Sequence, residues 1–352
     1  MMKKLALYFS RYPVLIFSVL FLILLSVFTL NSISQNIFPQ YYIYIILAFV
    51  FFIIFLNLDF SILQLFSVHL YILSIALLIL PLIIGQITRG AIRWIPIGSL
   101  TLQPSEIVRP FLLIFLAEFL MKKGFNTKRL IYAFILILIP VFLILIQPSL
   151  GVAILTMIGF TGVFLASGIN KRYIFISILL VFLLAPLLWL VLAPYQKARI
   201  VSFANPGSDP YGSGYNSIQA MISVGSGQLF GRGLGRGVQT QLRFLPEKHS
   251  DFIFAAIAEE LGFFGSLLVI FAILSILMGI VKITENSINP SARAFTTGVF
   301  FVLFCESVIH IGMNMGIVPI TGVPLPFVSA GGSSLLASSI MLAISLNSAK
   351  LS

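Results

Sequence analysis

The sequence has very little charge. Aspartate, glutamate, lysine and arginine make up 9% of its 352 residues, where a soluble domain has about 25%. Hydrophobic residues make up 59% of the chain, and the mean hydropathy is +1.11. So few charges cannot cover the surface of a water-soluble globule. The composition therefore predicts a polytopic membrane protein.

Cysteine and histidine are also scarce, and their scarcity excludes two kinds of site. The single cysteine, Cys305, lies in an apolar run, so the sequence offers no disulfide framework. The three histidines, His69, His249 and His310, are too dispersed to predict a zinc site. We also find no Ser-His-Asp pattern and no pattern of a nucleophilic cysteine.

Long apolar runs recur along the whole chain. A helix that spans the bilayer needs about 20 apolar residues. By this measure we predict a single all-α integral-membrane domain, residues 1–352, with a bundle of about ten transmembrane helices. The predicted spans are 13–31, 41–57, 61–85, 106–121, 130–147, 151–168, 172–193, 252–281, 294–317 and 330–348.

Basic residues in the short loops predict the orientation, because such loops stay in the cytoplasm. With ten spans, both termini lie on the same side of the membrane. The basic residues on that side are Lys3, Lys4, Arg11, Lys122, Lys123, Lys128, Arg129, Lys171, Arg172, Lys282, Arg293 and Lys350. The first loop on the opposite side, 31–40, carries no charge. We therefore expect cytoplasmic N and C termini, with the first apolar run as a start-transfer anchor.

The large extracytoplasmic loop between spans 7 and 8, residues 193–251, departs from this pattern. The outward basic residues, here and in the preceding outer loop, are Arg89, Arg93, Lys197, Arg199, Arg232, Arg236, Arg243 and Lys248. One interpretation is a solvated loop, because long loops tolerate basic residues. The interpretation we favour is an anion-binding surface, since arginine and lysine bind phosphate.

Six glycines lie in the same loop, in the sequence SVGSGQLFGRGLGRG, residues 223–237. A run in which glycine alternates with arginine can form a nest of backbone N–H groups around a phosphate. The other interpretation is a flexible loop. The spacing matches neither a P-loop nor a dinucleotide fingerprint.

The segment 89–106 precedes the fourth span and contains Trp94. It is moderately apolar, so we expect it to lie along the membrane interface. Glu106 and Arg109 are three residues apart and are predicted to pair on one helix face. This pair either is purely structural or supports the loop that carries Trp94.

Several acidic residues fall inside predicted spans, where ionisable groups usually face a cavity or a partner. Glu306 and His310 are four residues apart and share a face, which predicts a mutual hydrogen bond or, alternatively, a proton relay. Glu259 follows Asp251 by eight residues and is predicted to be structural. The connection VPITGVPLPFVSAGGSS, 318–334, is rich in proline and glycine and predicts either a re-entrant segment that lines a cavity or simple turns.

The candidate catalytic group is Asp251, in the sequence FLPEKHSDFIFA, residues 244–255. This stretch concentrates charge just before an apolar run. A carboxylate held where a polar loop enters a membrane helix is partly desolvated, so its position and its proton affinity can both be tuned.

These segments resemble a known family, the shape, elongation, division and sporulation (SEDS) family of bacterial membrane proteins. The similar motifs are GAIRWIPIG, LQPSE, YQKARI, NPGSDPYGSGY, VGSG, FLPEKHSDFIFAAIAEELGFFG and NMGIVPITGVPLPFVSAGGSS, in this order through nearly the whole chain. The segments VPLPFVS and QTQLRFLPE are more similar to the elongation member, RodA, than to the division member, FtsW.

The resemblance implies a peptidoglycan glycosyltransferase that polymerises lipid II during cell elongation, on the outer face of the bacterial cytoplasmic membrane. It places the family's catalytic aspartate at Asp251, its functional tryptophan at Trp94, and its Glu-x-x-Lys pair at Glu106 and Arg109. The other predicted substrate-binding residues are Arg93, Lys197, Arg199, Arg232, Arg236, Arg243, Glu247, Lys248 and His249. Three positions depart from the family pattern: Arg109 replaces a lysine and keeps its charge, Ser149 replaces a carboxylate and His310 replaces an asparagine.

The partners implied are lipid II, a class B penicillin-binding protein that acts as transpeptidase, and proteins of the elongation complex, with no nucleic acid. The resemblance assigns no cofactor. It leaves open whether a divalent cation, Mg²⁺ or Mn²⁺, binds at the pyrophosphate. The alternative function is a lipid II flippase or proton-coupled transporter. It would use the intramembrane Glu118, Glu306 and His310 as a relay and would leave Asp251 with a structural role.

Overall fold

The computed structural model describes a helical membrane protein with one small sheet. The described residues are 2–84, 86–88, 91–122, 127–168, 172, 189, 194–205, 212, 214–242 and 244–349. The predicted seventh span, 172–193, lies outside them except for Arg172 and Trp189. Arg89, Asp209 and Arg243 also lie outside the described residues.

Helices form most of the described chain. Those before the long outer loop are α1 Met2–Arg11, α2 Pro13–Ile33, α3 Phe38–Asn57, α4 Phe60–Leu65, α5 Ser67–Ile84, α6 Pro104–Ile107, α7 Arg109–Met121, α8 Thr127–Ile146 and α9 Leu150–Ala166. Those in and after that loop are α10 Pro194–Ala204, α11 Tyr215–Ser226, α12 Val238–Gln241, α13 Ile253–Asn286, α14 Pro290–Asn314 and α15 Gly332–Ser348.

Six of the described helices are long and apolar enough to cross a membrane: α2, α3, α5, α8, α13 and α14. Helices α9 and α15 are shorter apolar helices of 17 residues each. Large apolar side chains on the outer surface, such as Phe17, Phe49 and Phe142, are exposed and suit a lipid environment. The chain is therefore a multi-pass membrane protein built as a helical bundle.

Helix α14 lies at the centre of this bundle, where it packs against α7, α9, α13 and α15. It is the most buried of the six long helices. It ends at Asn314, beside the start of α13. The centre of the bundle therefore leads directly to the loop that carries Asp251.

The observed helix bounds differ from the predicted spans in places. The predicted third span, 61–85, is divided at Phe66 into α4 and α5. The chain turns between Asn57 and Phe60 and again between Ile146 and Leu150, where the sequence predicts tight turns. The predicted outer loop is partly helical, because α10, α11 and α12 lie within it.

Residues 86–88 and 91–102 contain a three-stranded antiparallel sheet, which the all-α expectation did not include. Its strands are β1 Gln86–Thr88, β2 Ala91–Ile97 and β3 Leu100–Leu102, in the order β1-β2-β3. Ile97 pairs with Leu100 across a two-residue turn that begins with Gly98 at φ +62°. Glycine at this position is typical of tight hairpins. The dipeptide Gly-Ser between apolar runs was therefore a usable signal for a hairpin.

The sheet contacts the membrane-spanning helix α3 and precedes the short helices α6 and α7. Helix α7 has 13 residues, which corresponds to about 20 Å, less than the bilayer core of about 30 Å. The hydroxyl of Tyr44 both donates to the carbonyl of Thr101 and accepts from its N–H, each at 2.8 Å. Tyr44 lies inside α3, so β3 lies beside a membrane-spanning helix. Residues 96–99 and Thr101 are exposed, so this part of the sheet lies at the surface of the bundle.

Helix α13 is broken near its start. Gly262 has φ +68° and ψ −161°, so the helix consists of Ile253–Leu261 and Phe263–Asn286. The outer loop pairs with the broken turn: Arg232 N–H donates to Glu259 O at 2.9 Å, and Phe263 N–H donates to Gln228 O at 2.8 Å. The loop thereby satisfies backbone groups that the break leaves without helical partners.

We predict that Gly262→Ala lowers the melting temperature of the detergent-solubilised protein. A Cβ at this position would lie 2.7 Å from Leu229 O, and alanine is strained at this φ. Left-handed strain and overpacking together cost about 2–5 kcal/mol. The matched control is Gly225→Ala, in α11, where a Cβ has open space. Equal melting temperatures for the two variants would contradict this account of the break.

Candidate active site

Asp251 lies in the turn that leads into α13. The carbonyl of Glu247 accepts hydrogen bonds from the N–H groups of Ser250, Asp251 and Phe252, at 3.1, 3.1 and 3.3 Å. Glu247 itself has φ +51°, a left-handed conformation that is uncommon outside glycine. Asp251 is half-buried. The local fold thus fixes the backbone of Asp251 where the polar loop enters the helix, as the sequence predicts.

The carboxylate of Asp251 shares a small space with a guanidinium. Asp251 Oδ2 lies 3.6 Å, and Arg199 Nη1 lies 3.9 Å, from the point where a Cβ of Gly322 would be. Arg199 Nη1 also donates to the carbonyl of Ile320 at 3.2 Å. Gly322 has φ +69°, and its missing side chain leaves a notch that both charged groups face. Sequence spacing could not have found this notch, because its three residues come from distant segments.

The proline- and glycine-rich connection lies against the same turn. Ala330 N–H donates to His249 O at 2.9 Å, and Ser329 Oγ donates to Ser250 O at 2.8 Å. Residues 323–329 are buried although they form no helix or strand. Of the two predicted alternatives, the segment therefore fits a re-entrant one rather than simple exposed turns.

The charged neighbours of Asp251 are held by protein contacts. Ser250 Oγ donates to Glu247 Oε2 at 3.3 Å, and His249 Nε2 lies 3.7 Å from the same oxygen. The ammonium of Lys248 donates to the carbonyl of Thr240. Lys248 thereby connects the turn to the loop that contains α12. Glu247 and His249 keep about a third of their side-chain surface exposed.

The segment that follows the glycine-rich run is held by an acidic residue of α13. Glu259 accepts from Gln239 N–H at 2.8 Å, Thr240 N–H at 3.1 Å and Ser223 Oγ at 3.2 Å. Gln239 and Thr240 lie in the first turn of α12, so the buried carboxylate of Glu259 occupies the N-terminus of this helix. The structural role predicted for Glu259 agrees with this geometry.

Glu260 accepts a hydrogen bond from the glycine-rich run itself. Its Oε1 accepts from Ser32 Oγ at 2.6 Å, Gly235 N–H at 3.0 Å and Gln241 Nε2 at 3.4 Å. Ser32 lies in the last turn of α2. Within the glycine-rich run, Gly235 N–H therefore donates to a side-chain carboxylate, whereas Arg232 N–H and Gly233 N–H donate to the backbone carbonyls of Glu259 and Glu260.

The predicted basic residues do not all gather at Asp251. Arg199 does, as described above. Lys197 lies over the ring of Trp189, with its Nζ 5.9 Å from the centroid. Arg232 and Arg236 are exposed on the outer loop. Arg232 N–H pairs with the carbonyl of Glu259, about 12 Å along α13 from Asp251 by helical rise.

Arg109 lies in the buried centre of the bundle, and its ion-pair partner differs from the prediction. Its Nη1 lies 4.0 Å from Glu306 Oε1, with side-chain exposures of 2% and 1%. Glu106, the predicted partner, is buried in α6 nearby. Glu306 also accepts from Ser334 Oγ at 3.4 Å. Sequence spacing identified the residues, but only the packing of α7 against α14 decided which pair forms.

The hydrogen bond predicted between Glu306 and His310 does not form. His310 Nδ1 instead pairs with the carbonyl of Val323 at 2.8 Å, next to Gly322. Ser149, the other position that departs from the family pattern, accepts from Gln103 Nε2 at 3.2 Å. Both positions thus help to fix buried segments around the notch at Gly322.

Trp94 and Arg93 lie on β2, half-buried, with the Arg93 guanidinium 6.0 Å from the Trp94 ring centroid. The strand thus holds both residues in the small sheet that precedes α6. Among the described residues, no group of three or more His, Cys, Asp and Glu side chains is placed to hold a metal ion.

Comparison with known proteins gives consistent matches over most of the chain. The family described as "Cell cycle protein", which covers FtsW, RodA and SpoVE, matches residues 5–351. The peptidoglycan glycosyltransferase MrdB of Escherichia coli K12 is 39% identical over 271 residues, which are 76% of this chain and 73% of MrdB. The probable peptidoglycan glycosyltransferase FtsW of Buchnera aphidicola subsp. Baizongia pistaciae is 35% identical over 311 residues, which are 86% and 81% of the two chains.

Solved structures share the fold. A chain from a peptidoglycan synthase complex that coordinates polymerization and crosslinking has a TM-score of 0.82 at 27% identity, covering 94% of this chain and 95% of that one. The rod shape determining protein RodA of Thermus thermophilus has a TM-score of 0.72 at 26% identity, covering 95% and 94%.

We predict that Glu259→Ala destabilises the outer loop. The change leaves the N–H groups of Gln239 and Thr240 without their acceptor, and hydrogen bonds to a charged group contribute about 1.5–3 kcal/mol each. Hydrogen exchange at these two amides should therefore accelerate, and the melting temperature should fall. The control is Glu285→Ala, an exposed residue of the same helix. Unchanged hydrogen exchange at Gln239 and Thr240 in Glu259→Ala would contradict the hydrogen bonds of these amides to the Glu259 carboxylate.

Proposed function

The chain belongs to the FtsW, RodA and SpoVE family of cell cycle proteins, and we propose that it is a peptidoglycan glycosyltransferase that polymerises lipid II during cell elongation. The observation that carries this proposal is the notch at Gly322, where the Asp251 carboxylate and the Arg199 guanidinium meet at the mouth of the bundle. The 39% identity to the peptidoglycan glycosyltransferase MrdB supports the elongation type.

We assign Asp251 the role of general base. It takes the proton of the acceptor hydroxyl, whose oxygen then attacks the anomeric carbon of the donor. The bond from this carbon to the pyrophosphate oxygen breaks, and undecaprenyl pyrophosphate leaves. The attack inverts an α-linked donor to a β-1,4 product, for which a single base suffices because no covalent intermediate forms.

Arg199 is the basic residue best placed to stabilise charge on the leaving pyrophosphate. Its Nη1 faces the same notch as Asp251 Oδ2, and arginine suits phosphate oxygens. Lys197, Arg232, Arg236 and Arg243 remain candidates for guiding the lipid-linked anion to the site by their positive charge. Lys248 has a further role in holding Thr240.

Two other groups keep their predicted roles as proposals. Trp94 and Arg93 lie on β2, half-buried, and would contact the sugar-phosphate part of lipid II, whereas the buried Glu106 and Arg109 would brace the segment that carries them. Glu247 and His249 lie in the same turn as Asp251 with part of their surface exposed, so they are open to substrate.

A divalent cation fits this site only with help from the substrate. At the notch the protein offers the carboxylate of Asp251, and Mg²⁺ commonly binds one or two carboxylates together with substrate phosphates. Asp251 is therefore the residue that would hold Mg²⁺ or Mn²⁺, with the pyrophosphate supplying further oxygens. Such an ion would neutralise charge on the leaving group.

We further propose a class B penicillin-binding protein as the transpeptidase partner, together with other elongation proteins. A similar chain belongs to a peptidoglycan synthase complex, which supports a partner of this kind.

The site would face outward from the bacterial cytoplasmic membrane, with both termini in the cytoplasm. Membrane-impermeant labelling of intact spheroplasts should modify a cysteine at Gly225 and spare one at Ser10, in a background where Cys305 is replaced by alanine.

The function is tested by Asp251→Asn, which keeps the size of the side chain and removes the base. We expect the purified variant to fold and bind lipid II, and its polymerisation rate to fall about 10²–10⁴-fold, the usual contribution of a general base. The measurement is the yield of glycan strands from lipid II with time. Parental activity of a folded Asp251→Asn protein would overturn the assignment. If the parental protein moves lipid II across vesicles and makes no glycan strands, the result favours the flippase.

The notch at Gly322 gives a second prediction. Gly322→Ala fills the notch with a methyl group, 3.6 Å from Asp251 Oδ2 and 3.9 Å from Arg199 Nη1. We expect the rate of polymerisation to fall about 10-fold or more, since a small displacement of the substrate from this space is costly. Gly98→Ala is the matched control, because Gly98 has a similar φ of +62° but open space around its Cβ position. An equal loss in both variants would attribute the effect to backbone strain instead of the notch.

A further inference from the structure

Three consecutive carbonyl groups before α13 each accept a hydrogen bond from one segment, residues 314–330. Ala330 N–H donates to His249 O at 2.9 Å, and Ser329 Oγ donates to Ser250 O at 2.8 Å. Asn314 Nδ2 donates to Asp251 O at 3.0 Å. Two of these donors are side chains, so the sequence specifies this anchoring and substitutions can remove it.

Asn314 makes contacts on both sides of the active-site turn. Its side chain is fully buried. Its Oδ1 accepts from Ala255 N–H at 3.0 Å, one of the N-terminal N–H groups of α13 that have no partner within the helix. Its Nδ2 donates to Asp251 O and also to His310 O at 2.8 Å. One amide therefore joins the end of α14 to the start of α13 and to Asp251.

Ser329 is equally constrained. It is 3% exposed, and its Oγ accepts from Leu325 N–H at 2.8 Å while it donates to Ser250 O. A hydroxyl that both accepts and donates has its proton direction fixed by the two contacts. Ser329 thus anchors the residue next to Asp251 from the same segment that places Gly322 in the notch.

We propose that Asn314 and Ser329 are positioning residues for the reaction, acting through the backbone of residues 250 and 251 to aim the Asp251 carboxylate into the Gly322 notch. This inference rests on the proposed role of Asp251. A base works only within hydrogen-bond reach of the proton that it removes. The same segment carries both the anchors and the notch, so it sets the distance between the base and the space where the acceptor binds.

Asn314→Asp separates this role from helix capping. The aspartate has the same shape and still accepts from Ala255 N–H at the positive end of α13, where a carboxylate is favourable. It loses the donors to the carbonyls of Asp251 and His310. Ser329→Ala removes the donor to Ser250 O and serves as an independent variant.

The matched control is Asn347→Asp, at the other end of the bundle. Asn347 Nδ2 also donates to two backbone carbonyls, those of Phe55 and Leu58. Its loss should therefore remove two contacts of the same kind and have no effect on the turn. Each variant is measured in the full-length protein for kcat and KM with lipid II, for binding of lipid II and for melting temperature.

For Asn314→Asp and Ser329→Ala we expect kcat to fall about 10–100-fold with KM changed less than about threefold, because a misplacement of about 1 Å can cost 10²-fold. Asn347→Asp should keep the parental kcat. In an Asp251→Asn background, Asn314→Asp should cause no further loss, since groups that act as a unit are not additive.

Parental kcat in a folded Asn314→Asp protein would overturn the proposal, and so would a further full loss in the Asp251→Asn background. If Asn314→Asp does not fold, Ser329→Ala decides: a kcat at the parental value refutes the positioning role. These outcomes are distinct from failure of the proposed function, in which Asp251→Asn itself would keep parental activity.

Discussion

A polar group inside a membrane bundle has no water to pair with, so it needs a protein partner or costs several kcal/mol. The region around Asp251 is organised by this requirement. The start of α13 has unpaired N–H groups, and Asn314 supplies one acceptor for them. The break at Gly262 frees further backbone groups, and the outer loop pairs with them. Because each of these contacts joins distant parts of the chain, satisfying the backbone also fixes the shape of the site.

The acidic residues at the outer end of the bundle divide into two kinds by the same requirement. Glu259 and Glu260 are held by N–H and hydroxyl donors, so they act as internal anions that fold the glycine-rich loop. Asp251 lies where the loop enters the helix, half-buried and beside the notch. Asp251 shares an accessible space with Arg199, so its carboxylate is suited to take a proton from a sugar hydroxyl. The carboxylates of Glu259 and Glu260 already accept hydrogen bonds from the protein and are not suited to this role.

The buried charged residues Arg109 and Glu306, together with His310, support the site from inside the bundle. Arg109 pairs with Glu306 in α14, and His310, one turn further along α14, pairs with Val323 beside Gly322. A buried ion pair contributes little net stability but strongly disfavours alternative packings when one partner would be left alone. Helix α14 therefore links the buried pair, the notch and Asn314 in a single rigid element. This arrangement gives Arg109, Glu306 and His310 each a protein contact inside the bundle.

The sequence by itself determined the membrane class, most helix positions and the place of Asp251 where a polar loop enters a helix, because hydropathy and isolated charge are local properties that hold wherever the chain folds. It also contained the hairpin signal at Gly98. Only the tertiary structure decided that Arg109 pairs with Glu306, that Glu259 and Glu260 accept hydrogen bonds from the outer loop, and that Gly322 forms a notch between Asp251 and Arg199. These are contacts between segments far apart in sequence. Helical spacing states which residues share a face, but the neighbouring element decides which partner that face meets.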